Sequence, residues 1–221
     1  MNTYYVSSQG CDCNNGLTPD SALKTVTKAI SLMSGGDKLC LRSGDTFYGR
    51  VKLPSGPNME YPTEITSYGK GAKPVLSQYK LPHDSAWEKF SDNIWRVDLK
   101  DPSGFGGNVS ELDANVGFIF VDGKVYGYKR IAVDKLEQQW DFYSDNQYCY
   151  VMTGGESPAA ISNDIRIACN IGCIGFSDNI RVTNIELNGT GGHGISGTVR
   201  GAYIGNCDFI NIGGSELPGY P

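Results

Sequence analysis

The sequence predicts an all-β protein in which short parallel strands stack as a solenoid. We also predict one N-terminal helix that caps the stack and a small antiparallel β subdomain inserted into it. Three observations indicate this fold. Gly accounts for 29 of the 221 residues, and Gly favours tight turns and left-handed backbone. A segment repeats at a fixed offset, and a change of character marks the insertion.

The repeat comprises Ile180 to Gly189 and Ala202 to Asn211, which match at an offset of 22 residues. The matched pairs are Val182 with Ile204, Asn184 with Asn206, Ile185 with Cys207, Glu186 with Asp208, and Leu187 with Phe209. A short strand cannot bury its own apolar side chains, but strands stacked about 4.8 Å apart bury them in a continuous stripe. The apolar residues of both copies are therefore predicted to be core positions.

The repeat also carries an Asn between apolar residues, at Asn184 and Asn206. Asn tolerates left-handed backbone, so it can turn the corner between two strands. Stacked Asn side chains share amide hydrogen bonds. We therefore predict that these two residues stack at equivalent corners.

A helix is predicted over residues Thr25 to Met33, and it would cover the first strands of the solenoid. Its apolar residues recur at helical spacing at Val26, Ala29, Ile30 and Met33. Thr25 is the expected N-cap, and Gly35 or Gly36 ends the helix. We assign residues 1–77 to the cap and first coils, 78–163 to the insertion and 164–221 to the continuing solenoid.

The insertion contains all three Trp residues of the chain. Asp122-Gly123 predicts a hairpin turn, and a second hairpin pairs two aromatic strands across Ser144 to Gln147. Strand alternation favours the aromatic side chains as core residues. Sugar stacking is the alternative role for them.

Seven Cys residues leave at least one without an intramolecular disulfide partner. The spacings of Cys11 with Cys13 and of Cys169 with Cys173 could suggest a metal site. Neither spacing is the C-x2-C of structural zinc. We therefore interpret the Cys residues as small buried thiols and predict no metal ligand among them.

Composition excludes two classes of partner. The net charge of −5 and the scattered Lys and Arg residues indicate no nucleic-acid partner. No apolar run reaches the length of a membrane span, so we predict no membrane partner. The N-terminus also lacks the pattern of a signal peptide. A cytoplasmic location, or an earlier loss of the signal, would explain that lack.

A family resemblance follows from the N-terminal segments. YYVSSQGCDCNNGLTPDSALKTVTKAI and GGDKLCLRSGDTF resemble the opening of secreted right-handed parallel β-helix proteins of the pectate-lyase-like superfamily. FVDGKVYGYKRI and QQWDFYSDNQYCYV resemble the insert of glycoside hydrolases whose β-helix is interrupted by a small β-sandwich. The resemblance implies a right-handed parallel β-helix, a polysaccharide or oligosaccharide substrate of the xylan or pectin class, and an extracellular or cell-surface location.

The resemblance also implies more than this chain contains. Such proteins continue for many more residues and carry their catalytic carboxylates in later coils. We therefore expect an N-terminal fragment with an incomplete active site and little glycosidase activity. An open end near Phe209 and Ile212 would self-associate unless residues 213–221, with Pro218 and Pro221, fold back over it.

Glu186 and Asp208 are the candidate catalytic residues. The repeat places them on adjacent coils, and glycosidases use two carboxylates that flank the scissile bond. On neighbouring strands the two backbones would lie about 4.8 Å apart. Two carboxylates that close together repel each other, which raises the pKa of one and could keep that carboxyl protonated as a general acid. The same pair could bind Ca²⁺, the one cofactor considered, or could be two solvated surface carboxylates.

His193 lies on the Gly-rich loop between the two copies of the repeat. It is the candidate substrate-binding residue, and an exposed loop residue is the alternative. Three functions agree with these observations: a glycan-cleaving enzyme, as a glycosidase before a polysaccharide lyase; a non-catalytic glycan-binding or tailspike-like module; and a structural fragment of a longer enzyme.

Overall fold

The structure is a computed structural model that describes residues 1–107, 115–145 and 147–214, apart from the side chains of residues 125 and 126. The chain divides into two compact units. Unit 1 comprises Met1–Ser77, Gly172–Asn188 and Gly194–Ile210. Unit 2 comprises Gln78–Ile171, Gly189–His193 and Asn211–Pro221.

Strands dominate the described residues, as predicted for an all-β protein. In chain order they are β1 Thr3–Val6, β2 Lys38–Arg42, β3 Thr46–Tyr48, β4 Val51–Lys52, β5 Thr63–Tyr68, β6 Val75–Ser77, β7 Tyr79–Pro82, β8 Trp87–Lys89, β9 Ile94–Asp98, β10 Phe105–Gly107, β11 Val116–Val121, β12 Lys124–Tyr126, β13 Phe142–Ser144, β14 Tyr148–Met152, β15 Ile165–Cys169, β16 Ile174–Gly175, β17 Ile180–Thr183, β18 Glu186–Thr190, β19 Ile195–Ser196, β20 Ala202–Gly205 and β21 Asp208–Ile212. The helices are α1 Val26–Leu32 and α2 Pro158–Ile161, with 3₁₀ turns at Pro19–Ser21, Asp84–Ala86, Pro102–Gly104 and Val133–Lys135.

The described strands that lie mainly in unit 1 form three parallel sheets. The first parallel sheet has the order β1-β2-β5-β17-β20, the second has the order β21-β18-β6-β3, and the third has the order β19-β16-β4. Consecutive strands visit the three sheets in turn: β2, β3 and β4, then β5 and β6, and after the intervening residues of unit 2, β16, β17, β18, β19, β20 and β21. Each sheet thus gains strands that are distant in sequence.

The predicted repeat sets the register of the first parallel sheet. Val182 pairs with Ile204 and, on its other side, with Ile65. Ile65 and Val182 are fully buried, as are Leu76 and Leu187 in the second sheet. The prediction that Val182 and Ile204 lie on adjacent strands is confirmed.

The predicted Asn pair is also confirmed. Asn184 and Asn206 have φ angles of 57° and 51°, and Nδ2 of Asn206 donates to Oδ1 of Asn184 at 2.7 Å. A second pair of left-handed corners recurs at the same offset. Gly189 and Asn211 are also 22 residues apart, and their φ angles are 76° and 51°. The corners of the repeat therefore recur as regularly as its strands.

The second copy of the repeat departs from the prediction in its burial. Ile204 and Phe209 are 41% and 47% exposed, whereas we predicted core positions for both. β20 and β21 are the outer strands of their sheets among the described residues, so no further strand covers one side of these residues. Residues 215–221, with Pro218 and Pro221, lie outside the described residues, and self-association through this end stays a prediction.

The predicted helix is confirmed as α1. Oγ1 of its N-cap, Thr25, accepts a hydrogen bond from the backbone N of Lys28 at 3.1 Å. Val26 and Ala29 are buried, and α1 packs against β1 and β4. The helix therefore covers apolar residues of unit 1.

Asp12 fixes the start of α1. Its Oδ1 accepts from the backbone N atoms of Lys24 and Thr25 at 2.9 Å each, and its Oδ2 accepts from Oγ1 of Thr25 at 2.8 Å. Burial opposes ionisation of this carboxyl, but the hydrogen bonds from Thr25 and Lys24 outweigh it and lower the pKa of Asp12. The charged form is therefore the form that stabilises the helix start.

We predict that Asp12→Asn lowers the free energy of unfolding at pH 7 by about 1 kcal/mol, because a hydrogen bond to a charged acceptor contributes about 1 kcal/mol more than one to a neutral acceptor. The pKa of Asp12 is lower in the folded chain, so its contribution is full above the unfolded value of about 3.9 and is lost as the pH falls through the folded value. Urea unfolding from pH 7 to pH 3 should show the difference from wild type shrinking below about pH 4. The exposed Asp20, changed to Asn, is the control, and an Asp12→Asn deficit that persists at pH 3 would contradict the assignment.

The described strands that lie within unit 2 form two antiparallel sheets with the orders β10-β7-β15-β11-β12 and β13-β14-β9-β8. Both predicted hairpins are confirmed, because β11 pairs with β12 and β13 pairs with β14. Both sheets contribute side chains to one core. Trp87, Trp140 and Phe142 are buried in it, which confirms the core interpretation for these aromatic residues.

The prediction of buried thiols holds for four Cys residues and is wrong for two. Cys40, Cys149, Cys169 and Cys173 are buried free thiols, and Cys207 is half-buried. Burial raises the pKa of Cys40 to about 11 and of Cys173 to about 12. Cys11 and Cys13 are exposed and joined by a disulfide, because the turn through Asp12 brings their Cα atoms to 5.2 Å, within bridging range.

Within residues 1–107, 115–145 and 147–214, the structure contains no helix that is both long and apolar enough to span a membrane.

Candidate functional site

The candidate carboxylates lie on the second parallel sheet. Leu187 of β18 pairs with Leu76 of β6, and both side chains are buried in unit 1. Side chains alternate between the faces of a strand. Glu186 and Asn188 therefore share the opposite face, where both are half-buried.

Asp208 begins β21, the neighbour of β18. Its backbone N donates to the carbonyl oxygen of Ile185 at 3.1 Å. The repeat matches Asp208 with Glu186, and neighbouring strand backbones lie about 4.8 Å apart. The structure thus places the two candidate carboxylates on adjacent strands of one sheet, as the repeat predicted.

Each carboxylate has a partner. Nζ of Lys73 lies 2.8 Å from Oδ1 of Asp208, and Nδ2 of Asn188 donates to Oε1 of Glu186 at 2.7 Å. The backbone N of Glu186 also donates to the carbonyl oxygen of Pro74 at 2.9 Å. The segment that precedes β6 therefore lies beside Glu186 and supplies the cation for Asp208. We call Lys73, Glu186, Asn188 and Asp208 the carboxylate cluster.

Lys73 lowers the net negative charge that the repeat alone predicted for Glu186 and Asp208. Glu186 and Asp208 together would carry two negative charges, whereas the ion pair with Lys73 leaves the carboxylate cluster with one. Repulsion between the two carboxylates is correspondingly weaker. One carboxylate is neutralised by an ammonium and the other is oriented by an amide, so the two are chemically distinct.

The same face of the sheet carries an aromatic residue. Tyr48 of β3 pairs with Ser77 of β6, which pairs in turn with Asn188 of β18. The Tyr48 side chain is 41% exposed. Aromatic rings pack against the C–H face of a sugar while polar groups bind its hydroxyls. The face therefore combines the two kinds of contact that sugar rings require.

His193, the candidate substrate-binding residue, is exposed in the segment between β18 and β19. It belongs to unit 2, whereas the carboxylate cluster belongs to unit 1. Its role as a substrate contact stays a prediction.

Sequence reasoning missed Lys73 and Asn188. Asn188 could have been found, because it lies two residues after Glu186 and shares its face. Lys73 is 135 residues from Asp208, and no local pattern connects the two. In the part of the chain that the structure describes, no group of three or more His, Cys, Asp or Glu side chains is arranged to hold a metal ion.

No family model and no curated protein matches the chain. Solved structures do. One, described as the complex structure of XylC with xylose, is similar with a TM-score of 0.62 and 16% identity, over 85% of this chain and 35% of that one. The likeness at this identity concerns the fold.

Two further structures are more distant. A GH136 lacto-N-biosidase from Eubacterium ramulus has a TM-score of 0.46 and 18% identity, over 96% of this chain and 27% of that one. A structure described as a glycoside hydrolase has a TM-score of 0.46 and 15% identity, over 86% of this chain and 51% of that one. The chain thus spans about a third of the XylC chain and about half or less of the other two.

Proposed function

We propose that the chain belongs to a carbohydrate-active enzyme that hydrolyses glycans, and that Glu186 and Asp208 supply its two reacting carboxyl groups. The observation that carries the proposal is their position on adjacent strands with different partners, Lys73 for Asp208 and Asn188 for Glu186. The similarity in fold to the XylC structure supports it.

We also propose that the three parallel sheets are the faces of a right-handed parallel β-helix. The cyclic order in which the strands visit the sheets supports this, as do the Asn184–Asn206 pair and the offset of 22 residues. In this proposal α1 covers the first coil, and residues 78–163 interrupt the helix between β6 and β16.

The proposed reaction proceeds in two displacements. Asp208 attacks the anomeric carbon and forms a glycosyl ester, while Glu186 donates a proton to the departing glycosidic oxygen. Glu186 then takes a proton from water, and the resulting hydroxide breaks the ester and restores Asp208. Carboxyl groups about 5–5.5 Å apart favour this retaining route, whereas inverting enzymes need about 6.5–9.5 Å. Adjacent strands fit the shorter separation.

The proposed substrate is a plant-type polysaccharide of the xylan or pectin class. The XylC structure is a complex with xylose, which supports the xylan class, and Tyr48 would stack on a sugar ring. Such a substrate would place the protein outside the cell or at its surface.

The test is an assay of the purified chain on xylan, pectin and an aryl xyloside, in which both product formation and glycan binding are measured. Release of reducing ends from one class of glycan would support the roles of Glu186 and Asp208. It would also overturn the expectation, drawn from the family resemblance, that this chain has little glycosidase activity. An unsaturated uronate product would instead identify a polysaccharide lyase.

Binding without any product would favour the non-catalytic glycan-binding module. Absence of both product and binding would contradict the proposal. Glu64→Gln is the control variant, because Glu64 is a carboxylate of unit 1 on the first parallel sheet, paired with Lys38 and Arg181.

A further inference from the structure

Strand β3 presents two uncharged side chains on the outward face of the second parallel sheet. Phe47 is buried, and side chains alternate between the two faces of a strand. Thr46 and Tyr48 therefore point outward, and both are exposed. Among the described residues, no hydrogen bond, ion pair or ring contact engages the Tyr48 side chain. The ring is thus accessible to a ligand, and Thr46 adds a hydroxyl that can donate or accept a hydrogen bond.

β3 and the two candidate carboxylates lie along one row that crosses the sheet. Thr46 pairs with Val75 of β6, and Val75 pairs with Glu186 of β18. Asp208 lies on β21, the next strand beyond β18. β3 is the last strand at the other side of this sheet among the described residues. The row therefore has the carboxylates at one end and the exposed side chains of β3 at the other.

The strand spacing sets the length of a ligand that can use both ends of the row. β3 and β18 have β6 between them, so they lie about 9.6 Å apart, twice the usual spacing of neighbouring strands. A single sugar ring bound at Glu186 is too short to cross β6 and also stack on Tyr48. An oligosaccharide that lies across the strands can make both contacts.

The residues of β3 and β6 suit a neutral sugar. Neither strand contains a charged residue, and Val75, which lies between Thr46 and Glu186, is apolar and half-buried. Lys73, the cation nearest in sequence to β6, is already paired with Asp208. Apolar and aromatic side chains pack against the C–H face of a sugar, and a few polar groups fix its hydroxyls. The charge of an acidic sugar would find no partner on these two strands.

We propose that Thr46 and Tyr48 form a distal subsite for an oligosaccharide that binds across the strands, and that this subsite gives the protein a preference for longer glycans. The inference rests on the proposed function, because Glu186 and Asp208 fix where the other end of the ligand lies. Tyr48 is then a specificity-determining residue that takes no part in bond cleavage. One aromatic contact of this kind strengthens binding by about twofold to tenfold.

The first experiment is titration calorimetry on the full chain carrying Glu186→Gln, so that the ligands are not consumed. The ligands are xylose, glucose and the linear β-linked oligomers of each sugar, up to the tetramer. In at least one series we expect the affinity to rise by about twofold to tenfold from the monomer to the longer oligomers. Affinity that is independent of length in both series, or absence of binding in both, would overturn the proposal.

Substitutions of Tyr48 assign the gain to its ring. Tyr48→Ala should cancel the gain of the longer oligomers and leave binding of the monosaccharide unchanged, whereas Tyr48→Phe keeps the ring and should keep the gain. Tyr61→Ala is the control, because Tyr61 is a similarly exposed Tyr of unit 1 that lies outside the sheets. Folding of every variant is checked by thermal unfolding. A preference for longer oligomers that persists in folded Tyr48→Ala would refute the role of Tyr48.

Hydrolysis of aryl glycosides of the same lengths separates this proposal from the proposed function. In Tyr48→Ala the KM for the longer glycosides should rise by the same factor with kcat unchanged, because a distal contact binds substrate and transition state equally. Binding that depends on length and on Tyr48, without any hydrolysis, would support the distal subsite and refute the catalytic roles of Glu186 and Asp208. Hydrolysis that is independent of length and unchanged in Tyr48→Ala would support those roles and refute the distal subsite.

Discussion

Replacing Glu186 by Gln is expected to slow glycan hydrolysis by about 10²- to 10⁴-fold, the usual contribution of a general acid–base. Gln preserves the size of the side chain and can still accept the hydrogen bond from Nδ2 of Asn188, seen at 2.7 Å. It cannot deliver a proton. The loss should therefore appear in kcat, with glycan binding and the free energy of unfolding close to the wild-type values.

Asp208→Asn tests the other half of the reaction. It removes the nucleophile and leaves Lys73 without its ionic partner. The rate of hydrolysis should therefore fall at least as much as it does in Glu186→Gln. Product analysis by NMR of the anomeric proton should show retention in the wild-type protein. Inversion of that centre, or full activity in both variants, would exclude the proposed roles. Glu64→Gln, which removes the charge from the ion pairs with Lys38 and Arg181 outside the carboxylate cluster, should keep full activity.

Gly189→Ala is expected to lower the free energy of unfolding by about 2–5 kcal/mol. Gly189 has a φ of 76°, and a side chain in left-handed backbone costs roughly 1–2 kcal/mol. A Cβ at this position would also overlap the ring of Tyr79, and overpacking costs about 1–3 kcal/mol more. Urea unfolding monitored by circular dichroism measures the change.

Gly154→Ala separates the cost of left-handed backbone from the cost of overlap with the ring of Tyr79. Gly154, also in unit 2, has a φ of 81°, and a Cβ there would meet no atom within 4 Å. The control should therefore show the backbone cost alone, about 1–2 kcal/mol. Equal losses in the two variants would mean that the ring of Tyr79 moves aside without cost.

The same position explains a difference between the two copies of the repeat. Asn211 occupies the corner that corresponds to Gly189, and its Nδ2 donates to the hydroxyl of Tyr79 at 3.0 Å. Tyr79 thus packs against one copy and accepts a hydrogen bond from the other. Gly is required where the ring lies against the backbone, and Asn suits the next corner because its side chain reaches the ring's hydroxyl.

Features that depend on residues close in sequence could be predicted. The helical spacing that begins at Val26 located α1, and Asp122-Gly123 located a hairpin. The matched copies of the repeat also predicted that Asn184 and Asn206 stack, because successive strands place equivalent residues side by side. All three are patterns that can be read within one segment or by comparing two.

Features that depend on distant contacts could not be predicted. The ion pair of Lys73 with Asp208 joins residues that are far apart in sequence, so the charge of the carboxylate cluster was misjudged. Burial of Ile204 was overestimated, because a core position is buried only when a strand lies on each side. The disulfide of Cys11 with Cys13 is itself a local contact, but the turn that brings its two Cα atoms to 5.2 Å passes through Asp12, whose side chain binds the more distant Lys24 and Thr25.

The position of unit 2 in the chain has a consequence for folding kinetics. β17 pairs with β5, and the ion pair of Arg181 with Glu64 across that pairing joins residues 117 apart. Closing a flexible loop costs more entropy as it lengthens, by about 0.6 kcal/mol for each doubling. Unit 2 has its own core and can fold first, which replaces most of that flexible loop by a compact body. We therefore expect β1, β2 and β5 to pair early and the pairing of β17 with β5 to be the slower step, because it follows the folding of unit 2.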